Sequence, residues 1–103
     1  MNPDKRVFEL MENLGGDTHT IRPVNFYFYF DDKNGANIFS ERLKSMHFQI
    51  VVSQSSYDHK WLCLATRSMQ PDSDLIEGLR PLFNNMCAKL NGDYDGWETE
   101  LIL

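Results

Sequence analysis

The chain has 103 residues and a mass of 12.0 kDa, which suits one domain. Apolar residues make up 42% and charged residues 24%, so a real core can form, and 15 acids against 10 bases leave a formal charge of −5 and a pI near 5.0. That balance argues against direct nucleic-acid binding through phosphates; no run approaches the ~18 apolar residues of a membrane span; and the Met1 end shows no apolar signal region, so a cytoplasmic protein is expected.

Residues 4–14 read as a short helix. Asn2 can cap it, and Pro3 sits where a missing N–H costs nothing. Val7, Leu10, Met11 and Leu14 form one helical stripe, which Gly15-Gly16 ends. Residues 21–30 are the clearest strand, rich in aromatic and β-branched side chains. Val24, Phe26, Phe28 and Phe30 point one way, and Asn25, Tyr27 and Tyr29 the other. Both faces are largely aromatic, as in a central strand covered at least partly on both sides.

Asp31 or Asp32 then caps a helix of roughly 33–46, with Ala36, Phe39, Leu43 and Met46 as its buried stripe. Residues 47–53 form a second strand, with Phe48, Ile50 and Val52 inward, and a polar turn leads to a third strand over 60–68. A third helix spans about 73–91, capped by Asp72, Ser73 or Asp74. Asp74 and Glu77 have capping-box spacing. Leu75, Leu79, Leu82, Phe83, Met86 and Leu90 make its apolar face. Pro81 should kink or split it, and Gly92 ends it. Residues 97–103 form a last strand with Trp97, Thr99, Leu101 and Leu103 on one face.

The order α, then βαββαβ, predicts an α+β fold: a ferredoxin-like sandwich with a four-stranded antiparallel sheet in the order 4-1-3-2 and an extra N-terminal helix. One domain then covers residues 1–103. One face of the central strand meets two helices; the other is left to the N-terminal helix or to a partner, a second copy included.

Enzyme constellations are thin, and no catalytic residue, metal ligand or cofactor is assigned. His19, His47 and His59 lie at element edges or in loops without metal-ligand spacing. Cys63 and Cys87 read as two buried thiols in a reducing compartment. RNA-recognition modules use this topology and stack bases on central-strand aromatics. Tyr27, Tyr29 and Trp61, with Arg67 nearby, are the candidates here, but Glu98 and Glu100 share that face and repel phosphate.

The most specific feature is Gly92-Asp93-Tyr94-Asp95-Gly96-Trp97-Glu98-Thr99. Asp95-Gly96 reads as a turn pair in which glycine supplies a positive φ, anchored by Tyr94 and Trp97. Asp93, Asp95, Glu98 and Glu100 gather in the last 11 residues with no base among them.

Tyr94-Asp95-Gly96-Trp97 with Thr99, after a long helix and before a terminal strand, resembles the regulator of ribonuclease E activity B family. The leading helix, the Gly15-Gly16-Asp17 break, the aromatic strand ending in Asp31-Asp32, the Met46-His47-Phe48 entry to the second strand and the Asp74-Leu75-Ile76 start of the last helix agree with it. The resemblance implies a ferredoxin-like domain with an added N-terminal helix. It also implies a non-catalytic bacterial regulator that binds ribonuclease E, or a basic RNA-binding scaffold, and alters RNA degradation. On that reading Tyr94, Asp95, Gly96, Trp97, Glu98 and Glu100 are partner-binding residues. The alternatives are a small immunity-type or other protein-interaction module of the same fold, or an RNA or small-molecule binder using the open sheet face.

Overall fold

The computed structural model describes residues 6–7 and 21–99. Its elements are β1 (Arg22–Phe30), α1 (Lys33–Lys44), β2 (Gln49–Gln54), β3 (Trp61–Met69), α2 (Ser73–Glu77), α3 (Arg80–Ala88) and β4 (Gly92–Thr99). The strands make one antiparallel sheet in the order β2-β3-β1-β4. This is the expected 4-1-3-2 order, and it is consistent with a ferredoxin-like sandwich. Most of the expected N-terminal helix lies outside the described residues. Arg6 and Val7 are helical, and Val7 is buried in the same core cluster as the residues below.

Strict alternation in β1 decides which side of the sheet is the core. Val24, Phe26, Phe28 and Phe30 are wholly buried, whereas Asn25, Tyr27 and Tyr29 are half-buried on the other face. The buried rings meet both helix layers: Phe28 lies 4.5 Å from Phe39 of α1, and Phe83 of α3 lies 5.5 Å from Phe26 and 5.2 Å from Phe28, centroid to centroid. Each fully buried phenylalanine contributes roughly 1.5–3 kcal/mol through the area it removes from water, which makes this strand the spine of the core.

The caps show why the helices start where they do. Asp32 accepts the Gly35 amide at 2.7 Å, opening α1. Asp72 does the same for Leu75 at 3.1 Å, opening α2. Asp72, not Asp74, is therefore the cap, and the Asp74–Glu77 capping box does not form. Pro81 splits the expected long helix into α2 and α3 and sits in the first turn of α3, where its lack of an N–H is harmless. Ile76 is buried on the same helical stripe as Leu79, Phe83 and Met86, and Leu75 is 42% exposed, the reverse of the inward Leu75 expected from the sequence.

Two further boundaries differ from expectation. The left-handed residue after α3 is Asn91 (φ 56), not Gly92. Gly92 instead begins β4, hard against the Phe30 ring, where a Cβ would come within 2.4 Å. The last strand thus starts at Gly92 rather than at Trp97.

Candidate functional site

Tyr94-Asp95-Gly96-Trp97 is part of a strand, not a helix-to-strand turn. In the β1–β4 ladder Phe28 pairs with Tyr94 and Tyr27 with Gly96, so Asp95 is the extra residue of a β-bulge. Gly96 has the positive φ (129) that the sequence predicts for it, but it serves the bulge. The consequence is geometric. In a regular strand, residues three apart point to opposite faces. The inserted residue resets the alternation, so Tyr94 (opposite Phe28) and Trp97 (opposite Phe26) both face the core. Asp93 (opposite Tyr29) and Glu98 (opposite Asn25) both face away from it.

Both aromatic anchors converge on the junction between α2 and α3. Trp97 is half-buried, and its Nε1 donates to Glu77 Oε1 at 3.0 Å. Glu77 also accepts from Arg80, at 2.9 Å from Nε and 3.2 Å from the terminal nitrogen. The Arg80 guanidinium lies over the Tyr94 ring at 5.2 Å, within cation–π range. Tyr94 packs between Phe28 and Phe83, with centroids 5.1 and 5.2 Å away. Its hydroxyl has no hydrogen-bond partner among the described residues. Burial pushes its ionisation upward, so it stays a neutral phenol. The hydrogen bonds from Arg80 and then Trp97 hold the Glu77 carboxyl below its usual range. From the sequence Glu77 is expected only as a capping-box acid, and Arg80 is not singled out; the available signal is an i, i+3 ion pair immediately before an in-helix proline.

The opposite face of the sheet is different chemistry. Tyr27 and Tyr29 of β1 lie opposite Leu64 and Leu62 of β3, and Leu64 lies opposite Val51 of β2, which is 62% exposed. Glu98 accepts a hydrogen bond from the Tyr27 hydroxyl, and this raises the Tyr27 ionisation. At one end of the face, Tyr29, Asp58, Asp93, Asp95, Ser55 and Lys60 line an open recess. The Lys60 amide donates to Asp58 and keeps that carboxyl below its usual range. Tyr57, at the tip of the β2–β3 hairpin, is 94% exposed. Leu62 and Leu64 were legible as apolar residues in the opposite phase to Cys63 and Ala65.

Two of the residues weighed for RNA stacking are elsewhere. Trp61 pairs with Phe30 and packs against the helix-side core, with Lys33 Nζ 5.5 Å from its ring. Arg67, opposite Val24, is on the helix side too and donates to the Met46 carbonyl at 3.0 Å. Only Tyr27 and Tyr29 remain on the open face. His47 and His59 are exposed at left-handed positions, and His19 lies outside the described residues. Cys63 and Cys87 are buried free thiols.

The expected partner residues therefore divide. Tyr94 and Trp97 are turned inward, Asp95 and Glu98 are exposed, Gly96 is half-buried in the bulge, and Glu100 lies outside the described residues. Among the described residues no helix is long and apolar enough to cross a membrane, and no group of His, Cys, Asp and Glu is arranged to hold a metal ion. No curated protein matches the chain. A family model described as regulator of ribonuclease activity B matches residues 2–99, nearly the whole chain.

Proposed function

Because the chain belongs to the regulator of ribonuclease activity B family, we propose that it is a non-catalytic protein that binds a ribonuclease of the ribonuclease E type and modulates RNA degradation. The observation that carries this reading is the extent of the family match, residues 2–99. The charge supports it. A chain of net charge −5 is steered toward a basic protein surface and competes there with RNA for the same cations.

In this reading Asp95, Glu98 and Glu100 meet the partner, while Tyr94, Gly96 and Trp97 set the strand that presents Asp95 and Glu98. The unit that acts is a single domain over residues 1–103, and its place of work is the cytoplasm, where such a ribonuclease meets RNA. Acids beside Tyr27 and Tyr29 argue against nucleic acid as the ligand.

The test is direct. Tagged full-length protein is incubated with purified ribonuclease E and with bacterial lysate at ~50 mM salt, where charge attraction is least screened. The ribonuclease is expected in the bound fraction, released as salt rises, and its cleavage of a reporter RNA should change when the protein is added. Absence of the ribonuclease from the bound fraction, with unchanged cleavage, rejects the proposal.

A further inference from the structure

The two faces of the sheet are used differently, and among the described residues only one is filled by the core cluster. The helix side is filled by phenylalanines, Tyr94 and Trp97. The other side presents Tyr27, Tyr29, Leu64 and Val51 as a connected apolar strip across three strands, half-buried to exposed and not part of the core cluster. Along its β4 border stand Asp93, Asp95 and Glu98, all exposed. The bulge at Asp95 puts them there: without the extra residue, Asp93 and Glu98 would fall on opposite faces.

We propose that this sheet face is the docking surface for an arginine-rich or lysine-rich segment of a protein partner carrying apolar side chains. The occupant follows from charge and surface type. A second copy of the chain would bring another net charge of −5 to this face, and like charge disfavours that association. RNA would meet the Asp93, Asp95 and Glu98 carboxylates with its phosphates. A cationic segment gains twice. Its guanidinium groups pair with the carboxylates along β4 and stack on the tyrosine rings, while its apolar side chains cover Leu64 and Val51. Glu98 is held in place by the Tyr27 hydroxyl, and the Lys60 amide helps keep Asp58 charged at the far end of the strip. The inference rests on the protein-binding reading above and adds where the partner sits.

The experiment uses the full chain, a synthetic peptide of alternating arginine and leucine, its glutamate–leucine counterpart and a single-stranded RNA oligonucleotide, with binding followed by backbone amide NMR shifts at low salt. The arginine peptide is expected to shift residues of β1, β3 and β4 around Tyr27, Leu64 and Asp95, and the other two probes are not. Asp95→Lys, a change at an exposed position, should weaken the peptide at least about tenfold. Leu75→Arg, on exposed α2, should leave it unchanged. Shifts confined to the helix layer, equal weakening by Leu75→Arg, no arginine-peptide binding, or tighter binding of the RNA each overturn the proposal. If Asp95→Lys unfolds the chain, Glu98→Gln makes the same comparison. Parallel capture of ribonuclease E separates the two readings. Ribonuclease retained by Asp95→Lys and by Glu98→Gln overturns the surface but leaves the function standing. Peptide binding on this face without any ribonuclease capture does the reverse.

Discussion

Trp97 donates its indole N–H to Glu77 across 3.0 Å, joining the last strand to the break between α2 and α3, 20 residues away in sequence. The contact exists because of two local irregularities: the bulge that turns Trp97 inward and the proline that ends α2 at Glu77. The elements that carry the most recognisable residues of the chain are thereby fixed to each other.

Trp97→Ala should destabilise the fold by about 2 kcal/mol, below the 3–5 kcal/mol range for fully buried tryptophan because this ring is only half-buried. Trp97→Phe keeps most of the packing and removes the hydrogen bond, so its cost should stay near 1 kcal/mol. Urea unfolding of the three proteins measures both; a Phe variant as unstable as the Ala variant would assign the effect to the indole N–H rather than to packing.

Tyr94→Phe should be neutral or stabilise by up to about 1 kcal/mol. The hydroxyl is buried and has no partner among the described residues, so removing it relieves a desolvation cost. A clear loss of thermal stability would mean that the hydroxyl does have a partner.

Gly92→Ala and Gly96→Ala should both destabilise, for different reasons. At Gly92 a Cβ meets the buried Phe30 ring at 2.4 Å, so the core must shift, at roughly 1–3 kcal/mol. At Gly96 nothing lies within 4 Å, but a φ of 129 strains any other residue by about 1–3 kcal/mol. Cross-strand amide exchange distinguishes them: Gly92→Ala should loosen the Phe30 end of β1, and Gly96→Ala the pairing at Tyr27.

Acid should weaken the α2–β4 tie. Hydrogen bonds from Arg80 and Trp97 lower the Glu77 carboxyl from its ordinary 4.5. A group lowered in the folded state stabilises above its unfolded value, and that contribution fades as pH falls through the folded one. Stability should therefore drop below pH 4.5, with a change in Trp97 fluorescence, and Glu77→Gln should flatten the part of the drop that follows Trp97.

Base should act on the core. Burial is the main cause that raises both thiols, taking Cys87 from 9.0 to about 12. A raised acid stabilises fully below its unfolded value and loses that contribution as pH climbs toward the folded one, so the loss runs from pH 9.0 to about 12. A thiol reagent at neutral pH should leave Cys63 and Cys87 unmodified in the native protein and label both in denaturant. Fast native labelling of either contradicts the burial.

Much of the fold was legible because its signals are local. The alternation of β1 identified the core face residue by residue, Pro81 marked the helix break, and Asp32 and one of the acids before α2 supplied the caps. Where the reading failed, a residue's side was set by a partner distant in sequence. Trp61 alternates correctly with its neighbours, yet its side is known only from pairing with Phe30. Leu75 is the exception, a local error: Ile76, not Leu75, shares the helical stripe of Leu79, Phe83 and Met86.

The candidate site shows the same division most clearly. From the sequence alone came its residues, its acidity and the positive φ at Gly96, since these depend on composition and on single-residue backbone preference. Only the tertiary structure decided that Asp95 is an inserted strand residue, that Tyr94 and Trp97 consequently share the core side, and that Asp93 and Glu98 share the open one. A turn and a bulge ask for the same Asp-Gly pair; the hydrogen-bond register against Tyr27 and Phe28, more than 60 residues upstream, selects between them.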